Sequence, residues 1–351
     1  MKNSSRIVSL VFAFVMALSL VSCGGDTSYI ATFHDEKVPA GVYLYQLVTA
    51  TQSAYSKVED SSKDVLKQDI DGQNAAIWIE QTAQQEMKRY LAVEKEFEDL
   101  GLTLKADAQE AVTAQVNTEW NNYSEWYEKN GISKDSLTYV VQNLAKKQQV
   151  FLHYYDEGGP EAVSDADLKA YFSDHYVKVK YLGVSWDTSK TGDELTAVKE
   201  EAKTKAEGYL ARAKNGESMD KLIQEFSNEQ RKASAAEGEE IETTDPSEVK
   251  EDIYATVLSK EGGSSFGEQF AERMNAMSAG DIEVVEGTSK YYVLAKYDIL
   301  AKEEDFTSRR MSLLQNMKAE DYEQKLDGVV GEMNITLNED ALKRYTAKKV
   351  K

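Results

Sequence analysis

The residue pattern predicts a multidomain, mainly α chain in which an α+β unit is inserted between helical segments. Three observations carry this. Apolar residues recur at helical spacing over most of residues 40–155 and again from Phe306 to Met333. Between them, residues 176–299 alternate strand-like and helical stretches and close on a hairpin turn at Gly287-Thr288-Ser289. Gly158-Gly159-Pro160 breaks the chain where the first helical segment ends.

Taken in order, Tyr29-Ile30-Ala31-Thr32-Phe33 reads as a short strand and His34-Asp35-Glu36-Lys37 as a turn. Val38-Pro39-Ala40-Gly41 leads into a helix. Ile79, Ala83, Met87, Tyr90 and Phe97 form one helical stripe, stopped by Gly101 with Leu102 behind it. Ala108, Val112, Val116, Trp120, Tyr123 and Tyr127 form the next, ending near Gly131. Ser133 is placed to cap a third helix through Leu137, Val141, Leu144 and Gln148. Ser164 caps a short helix bearing Leu168 and Phe172.

From Tyr176 the period changes to two: Val177, Val179, Tyr181 and Gly183 alternate with Lys178, Lys180 and Leu182, as in a strand. Residues 194–214 are helical, and Ser218 is expected to cap a helix over 219–226. Residues 228–251 read as an acidic surface loop. Phe266 to Ser278 is helical again. Ile282 to Val285 and Tyr291 to Ile299 are strands flanking the hairpin turn. One long helix is expected from Phe306 to Met333, then a strand at 334–337 whose Ile335 and Leu337 can pair with Tyr29–Phe33, and a closing helix from Asp340 to Lys348. No tandem repeat is present.

The amino terminus reads as an export leader. A basic head with Lys2 and Arg6 precedes an apolar run from Ile7 to Val21, shorter than the roughly 20 residues of a membrane span. Cys23, the only cysteine, follows Leu20-Val21-Ser22. Without Lys2 and Arg6 the 41 basic residues fall to 39, against 61 acidic, which disfavours nucleic acid and anionic headgroups. A single cysteine leaves no disulfide, so about 330 residues must hold themselves by burial alone.

Several segments are similar to PrsA/SurA-type foldases, exported chaperones with a parvulin-type prolyl isomerase domain inserted in a helical module. Leu-Val-Ser-Cys resembles the bacterial lipobox, in which the cysteine is acylated. In the front module the resemblance is carried by Tyr29 to Tyr45, Trp78 to Leu104, Tyr123 to Leu137, and Val163-Ser164-Asp165-Ala166-Asp167-Leu168-Lys169-Ala170-Tyr171-Phe172. In the middle unit it is carried by Val179 to Val184, Ala213 to Leu222 and Ser278-Ala279-Gly280-Asp281-Ile282. The family's glycine-rich second strand is not recognisable.

The resemblance implies a lipoprotein signal peptide (1–22), a lipidated tether (23–28) and a SurA-like chaperone module (29–163). It further implies a parvulin-like domain (164–300) and a C-terminal helical segment (301–351) packing back on the front module. It implies membrane anchoring through Cys23 on the outer face of a bacterial cell, and unfolded exported polypeptides as partners, with no nucleotide or nucleic acid. The two family histidines of the isomerase site fall on Tyr181 and Tyr292, and the apolar residues that receive proline on Phe266, Phe270 and Met274. Trp78, Trp120, Tyr123 and Trp126 are candidates to line a groove for unfolded segments. A phenol donates a hydrogen bond but is longer than an imidazole and ordinarily neutral.

The expectation is therefore an ATP-independent membrane-anchored chaperone whose isomerase unit is weak or inactive. An active peptidyl-prolyl isomerase, or a solute-binding or adhesive surface lipoprotein, stays open. No cofactor or metal is expected. His34, His153 and His175 are scattered, no phosphate-binding glycine loop occurs, and Asp69-Ile70-Asp71-Gly72 is only half a calcium loop, with Lys67 and Trp78 at its ends.

Overall fold

A computed structural model describes residues 26–33, 36–236 and 241–351. Cys23 with the leader, and His34, lie outside them. In chain order the elements are β1 (Tyr29–Phe33), β2 (Glu36–Pro39), α1 (Ala40–Tyr55), β3 (Asp69–Ile70), β4 (Gln73–Asn74), α2 (Ala75–Asp99), α3 (Ala106–Lys129) and α4 (Lys134–Tyr155). Then follow α5 (Asp165–His175), β5 (Tyr176–Ser185), α6 (Gly192–Lys214), α7 (Met219–Ser234), β6 (Thr256–Ser259) and α8 (Glu268–Ala276). The chain closes with β7 (Ile282–Glu286), β8 (Lys290–Tyr297), α9 (Glu303–Thr307), α10 (Arg310–Glu332), β9 (Thr336–Leu337) and α11 (Glu339–Arg344). The chain is multidomain and mainly α. It divides into two compact units: the described residues up to His153 together with Asp321–Lys351, and Tyr154–Glu320. The seams between these units fall in α4 and α10.

In the first unit the predicted punctuation is visible as hydrogen bonds. Gly101 and Gly131 adopt positive φ (62° and 75°), and Leu102 and Ile132 donate back to Phe97 and Tyr127, closing α2 and α3. Ser133 Oγ accepts from the Ser136 amide at 3.1 Å at the start of α4. The expected turn at Glu36-Lys37 is instead the start of β2, which pairs antiparallel with β1. Asp69–Gly72 is no calcium loop: Asp71 (φ 51°) and Gly72 (φ 79°) make the two-residue turn joining β3 to β4.

The far end of the chain returns to this unit. β9 lies antiparallel to β1, Ala31 opposite Leu337 and Thr32 opposite Thr336, giving a β2-β1-β9 sheet. Asn338 donates through Nδ2 to the Asp26 and Tyr29 carbonyls. Arg89 on α2 grips Asp327 on α10 with two 2.7 Å bonds. Phe151 meets Tyr322 edge-on at 5.4 Å. The core joins Ile30, Val42, Tyr43, Leu47, Ile79, Met87, Leu137 and Ala341.

The second unit is built on one antiparallel sheet ordered β6-β5-β8-β7. Ser164 Oγ accepts from the Asp167 amide at 3.1 Å and so caps α5. Ser218 occupies the capping position of α7 without making the side-chain bond. The sequence pattern misplaces two boundaries here. α7 runs to Ser234, eight residues beyond its expected end, and the stretch after it leads to a fourth strand, β6, antiparallel to the first half of β5. The expected helix 306–333 is two helices. Phe306 is buried and Asp305 pairs with Lys178 at 2.7 Å, drawing α9 onto the sheet and ending it before α10 begins.

The two faces of β5 bury different partners. Val177 and Val179 pack with Phe270, Met274 and Leu294. Leu182 and Val184 pack with α6 and α7 through Ala202, Ala206, Tyr209 and Leu222.

Candidate functional site

Two sites assemble from the residues singled out by sequence, one in each unit. The first is an aromatic cluster on the sheet of the second unit. Tyr181 is on β5 and Tyr292 on β8, in a register that sets Gly183 opposite Tyr292 and Leu294 opposite Tyr181. The tyrosines are therefore diagonal neighbours, with ring centroids 5.9 Å apart and nearly perpendicular. Phe266 and Phe270 complete the cluster. They stack on each other at 4.7 Å and meet Tyr181 edge-on at 5.2 and 6.0 Å. They meet Tyr292 at 5.8 and 4.9 Å.

Two glycines make room for Tyr292. A Cβ on Gly183 would stand 2.9 Å from its Cε1, and one on Gly287 2.5 Å from its Cε2 and 2.6 Å from the Phe266 carbonyl oxygen. The ring is held on both edges.

Neither tyrosine hydroxyl bonds to a protein group among the described residues, and neither is a sealed polar atom. Burial raises the pKa of both phenols, and for Tyr292 the nearby Tyr181 phenol adds to it. Both are thus neutral donors at physiological pH, with hydroxyls reaching solvent from an apolar floor.

The other residues assigned to proline binding divide. Phe266 is partly buried and can be reached. Phe270 and Met274 are 0 % exposed and belong to the core between α8 and the sheet, so they offer a ligand no surface in this conformation. Burial follows from their i, i+4 spacing on α8, a nine-residue helix with a single apolar stripe.

The second site is a groove of about 550 Å³ between α1 and α3 in the first unit, lined by Tyr45, Val48, Thr49, Gln52, Tyr123, Trp126 and Tyr127. Of the four aromatic candidates, Tyr123 and Trp126 line it. Tyr123 is 58 % exposed. Trp120 does not line it but stacks on Tyr127 at 6.2 Å, and Trp126 meets Tyr127 edge-on at 5.2 Å. Trp126 Nε1 donates to the Lys351 carbonyl at 3.1 Å, which holds that indole in place.

Trp78 is elsewhere, partly buried against the core with Lys57 Nζ 5.7 Å from its ring. Sequence reasoning missed Tyr45 as a wall residue, although Tyr45, Val48, Thr49 and Gln52 have the 0, 3, 4, 7 spacing of one helix face.

A buried ionic cluster was also not foreseen. Lys180 Nζ lies 2.6 Å from both Asp220 and Asp252, and Lys178 Nζ lies 2.7 Å from Asp305 and 3.3 Å from Asp252. Lys302 also pairs with Asp252. Asp220 accepts from the backbone amides of Asp252 and Tyr254 at 3.0 and 3.3 Å. Every charge in it has a partner, as a structural cluster requires.

Among the described residues no group of three or more histidine, cysteine, aspartate or glutamate side chains is arranged to hold a metal ion. His175 Nδ1 lies 3.0 Å from the Tyr171 carbonyl. Among the same residues no helix is long and apolar enough to cross a membrane.

No family model matches the chain, and no curated protein matches it. Solved structures do. The foldase protein PrsA of Lactococcus lactis shares 13 % identity, covering 92 % of this chain and 99 % of that one, at a TM-score of 0.39. Foldase protein PrsA of Streptococcus pneumoniae shares 13 % over 76 % of this chain and 88 % of that one, at 0.38. PrsA of Bacillus subtilis shares 16 % over 76 % and 84 %, at 0.27.

Proposed function

We propose that this protein is an ATP-independent chaperone for unfolded exported polypeptides, tethered to the outer face of the cell membrane through lipid on Cys23. The observation that carries the reading is the groove between α1 and α3. It presents Tyr45, Tyr123 and Trp126 along one surface with Tyr127 nearly buried among them, and Tyr123 is among the most exposed large hydrophobic side chains of the described chain. Aromatic rings supply large contact area at little cost in side-chain entropy, which suits weak binding of many sequences. A formal charge of −20 keeps a client-loaded protein soluble. Lipidation would hold the groove where exported chains emerge and raise its effective concentration there.

The test uses the soluble mature chain from residue 24 and a chemically unfolded client whose aggregation is followed by light scattering. Suppression near one chaperone per client is expected, with most of it lost in Tyr123→Ala at unchanged stability. Full aggregation in the presence of the intact chain would remove the reading. Cys23→Ala is expected to move the protein from the membrane to the soluble fraction.

A second reading has one observation in its favour: the hydroxyls of Tyr181 and Tyr292 have no protein partner among the described residues and stand together over an apolar floor. An isomerase must favour the twisted amide across a barrier of ~18–20 kcal/mol, and two neutral donors at that floor could serve it. A protease-coupled assay on an X-Pro peptide decides. Turnover lost in Tyr292→Phe supports catalysis, whereas no turnover in the intact chain excludes it.

A further inference from the structure

A carboxylate without a cationic partner stands beside the aromatic groove. Glu119 lies on α3 four residues before Tyr123 and seven and eight before Trp126 and Tyr127, so all four share one helix face. Its Oε2 accepts from the Tyr127 hydroxyl and its Oε1 from Gln115 Nε2, each at 2.9 Å. No lysine, arginine or histidine pairs with it among the described residues, whereas Glu125 on the same helix is neutralised by Lys129 at 2.8 Å. Its field reaches the groove. Burial raises the pKa of Tyr127, and the hydrogen bond to Glu119 and its charge raise it further. The Tyr45 phenol is shifted in the same direction, first by burial and then by Glu119.

The lining contains four aromatic residues and no basic side chain. The face of an aromatic ring is electron-rich and attracts cations. A phenol that donates its proton towards a carboxylate gives more negative potential to its own ring. An aliphatic client side chain gains only contact with these rings, and an acidic one is repelled by Glu119. A cationic side chain gains the exposed ring faces and the field of Glu119, which stands beside the lining. A guanidinium gains most, because it is planar and stacks on aromatic faces while carrying its charge.

We infer that the α1–α3 groove selects a cationic side chain, arginine ahead of lysine, within the unfolded segment it holds. The inference rests on the chaperone reading of the same groove and gives its substrate class. Charge complementarity names the occupant: a polypeptide segment carrying a cation flanked by apolar residues.

The experiment is calorimetry on the intact mature chain with two capped ten-residue peptides. Both carry one central residue flanked by leucine and valine, arginine in one and its neutral isostere citrulline in the other. The arginine peptide is expected to bind about tenfold more tightly, equivalent to about 1.4 kcal/mol. Glu119→Gln, which keeps an acceptor for the Tyr127 hydroxyl, is expected to remove most of that ratio.

Equal affinity of the two peptides for the intact chain overturns the inference while leaving an apolar client groove standing. A ratio that survives Glu119→Gln also overturns it, since one charge in twenty scarcely alters the overall field and the attraction would then belong to the whole acidic surface. If neither peptide binds, the client-groove reading falls with it.

Discussion

Replacing Asp220 by alanine should weaken the second unit more than any surface substitution. Asp220 is 1 % exposed and accepts from Lys180 Nζ at 2.6 Å and from the amides of Asp252 and Tyr254. Its loss leaves Lys180 buried with Asp252 as its one remaining carboxylate. Removing one partner of a buried pair costs roughly 3–5 kcal/mol. The two amides lie on the chain just before β6 and regain some bonding from water, so they add towards the lower end of the roughly 1–3 kcal/mol for a lost acceptor. The expected destabilisation is about 5 kcal/mol, or a melting point lower by about 10–20 °C for a unit of this size.

Trp186 reports on it cleanly, because the other tryptophans, Trp78, Trp120 and Trp126, all belong to the first unit. Urea unfolding followed by Trp186 fluorescence, in a chain carrying phenylalanine at those three positions, measures the second unit alone. The paired change Lys180→Met with Asp220→Leu should recover part of the loss, because no charge is then left unpaired in that pair. A loss under about 1 kcal/mol for Asp220→Ala would refute the view that this cluster fastens the segment before β6 to the sheet.

The same cluster predicts acid sensitivity. Burial alone would raise the pKa of Asp252, but the ammonium groups of Lys180, Lys302 and Lys178 outweigh it and hold the carboxyl well below the usual range. A depressed folded-state pKa contributes stability above the unfolded value, near 4, and loses it as pH falls towards the folded value. Trp186-detected stability should therefore fall below about pH 4, and Asp252→Asn should flatten that fall. At the aromatic cluster, Gly287→Ala would force a methyl against the Tyr292 ring and the Phe266 carbonyl. A loss of about 1–3 kcal/mol is expected by urea unfolding, and an unchanged midpoint would show that Tyr292 is not held as described.

What could be read in advance was local. Ser133 and Ser164 cap their helices, Gly101 and Gly131 end theirs, and Gly287–Ser289 turns the hairpin, because each feature is a hydrogen bond or a dihedral preference within a few residues. Tyr181 and Tyr292 were placed on strands by the period-two pattern, and they meet because β5 pairs with β8. β6 escaped notice because Thr256–Ser259 is only four residues long, too short to show an alternation. Trp78 and Trp126 look alike as helical aromatics and both pack against the core, yet only Trp126 also lines the groove. The difference lies in which helix each faces, and no spacing along one helix records that.

The sequence by itself determined the mainly α, multidomain character of the chain, its acidity, its single cysteine and most of its helix ends, since composition and short-range periodicity are sufficient for these. Only the tertiary structure decided that Phe270 and Met274 are sealed in a core and that Lys178 and Lys180 are buried among three aspartates. It alone set Tyr45 across from Tyr123 and Trp126, beside an unpaired Glu119. Those outcomes depend on packing between segments tens to more than a hundred residues apart. There burial turns a repeated apolar residue into core and turns a neighbouring carboxylate into either a structural partner or a candidate recognition group.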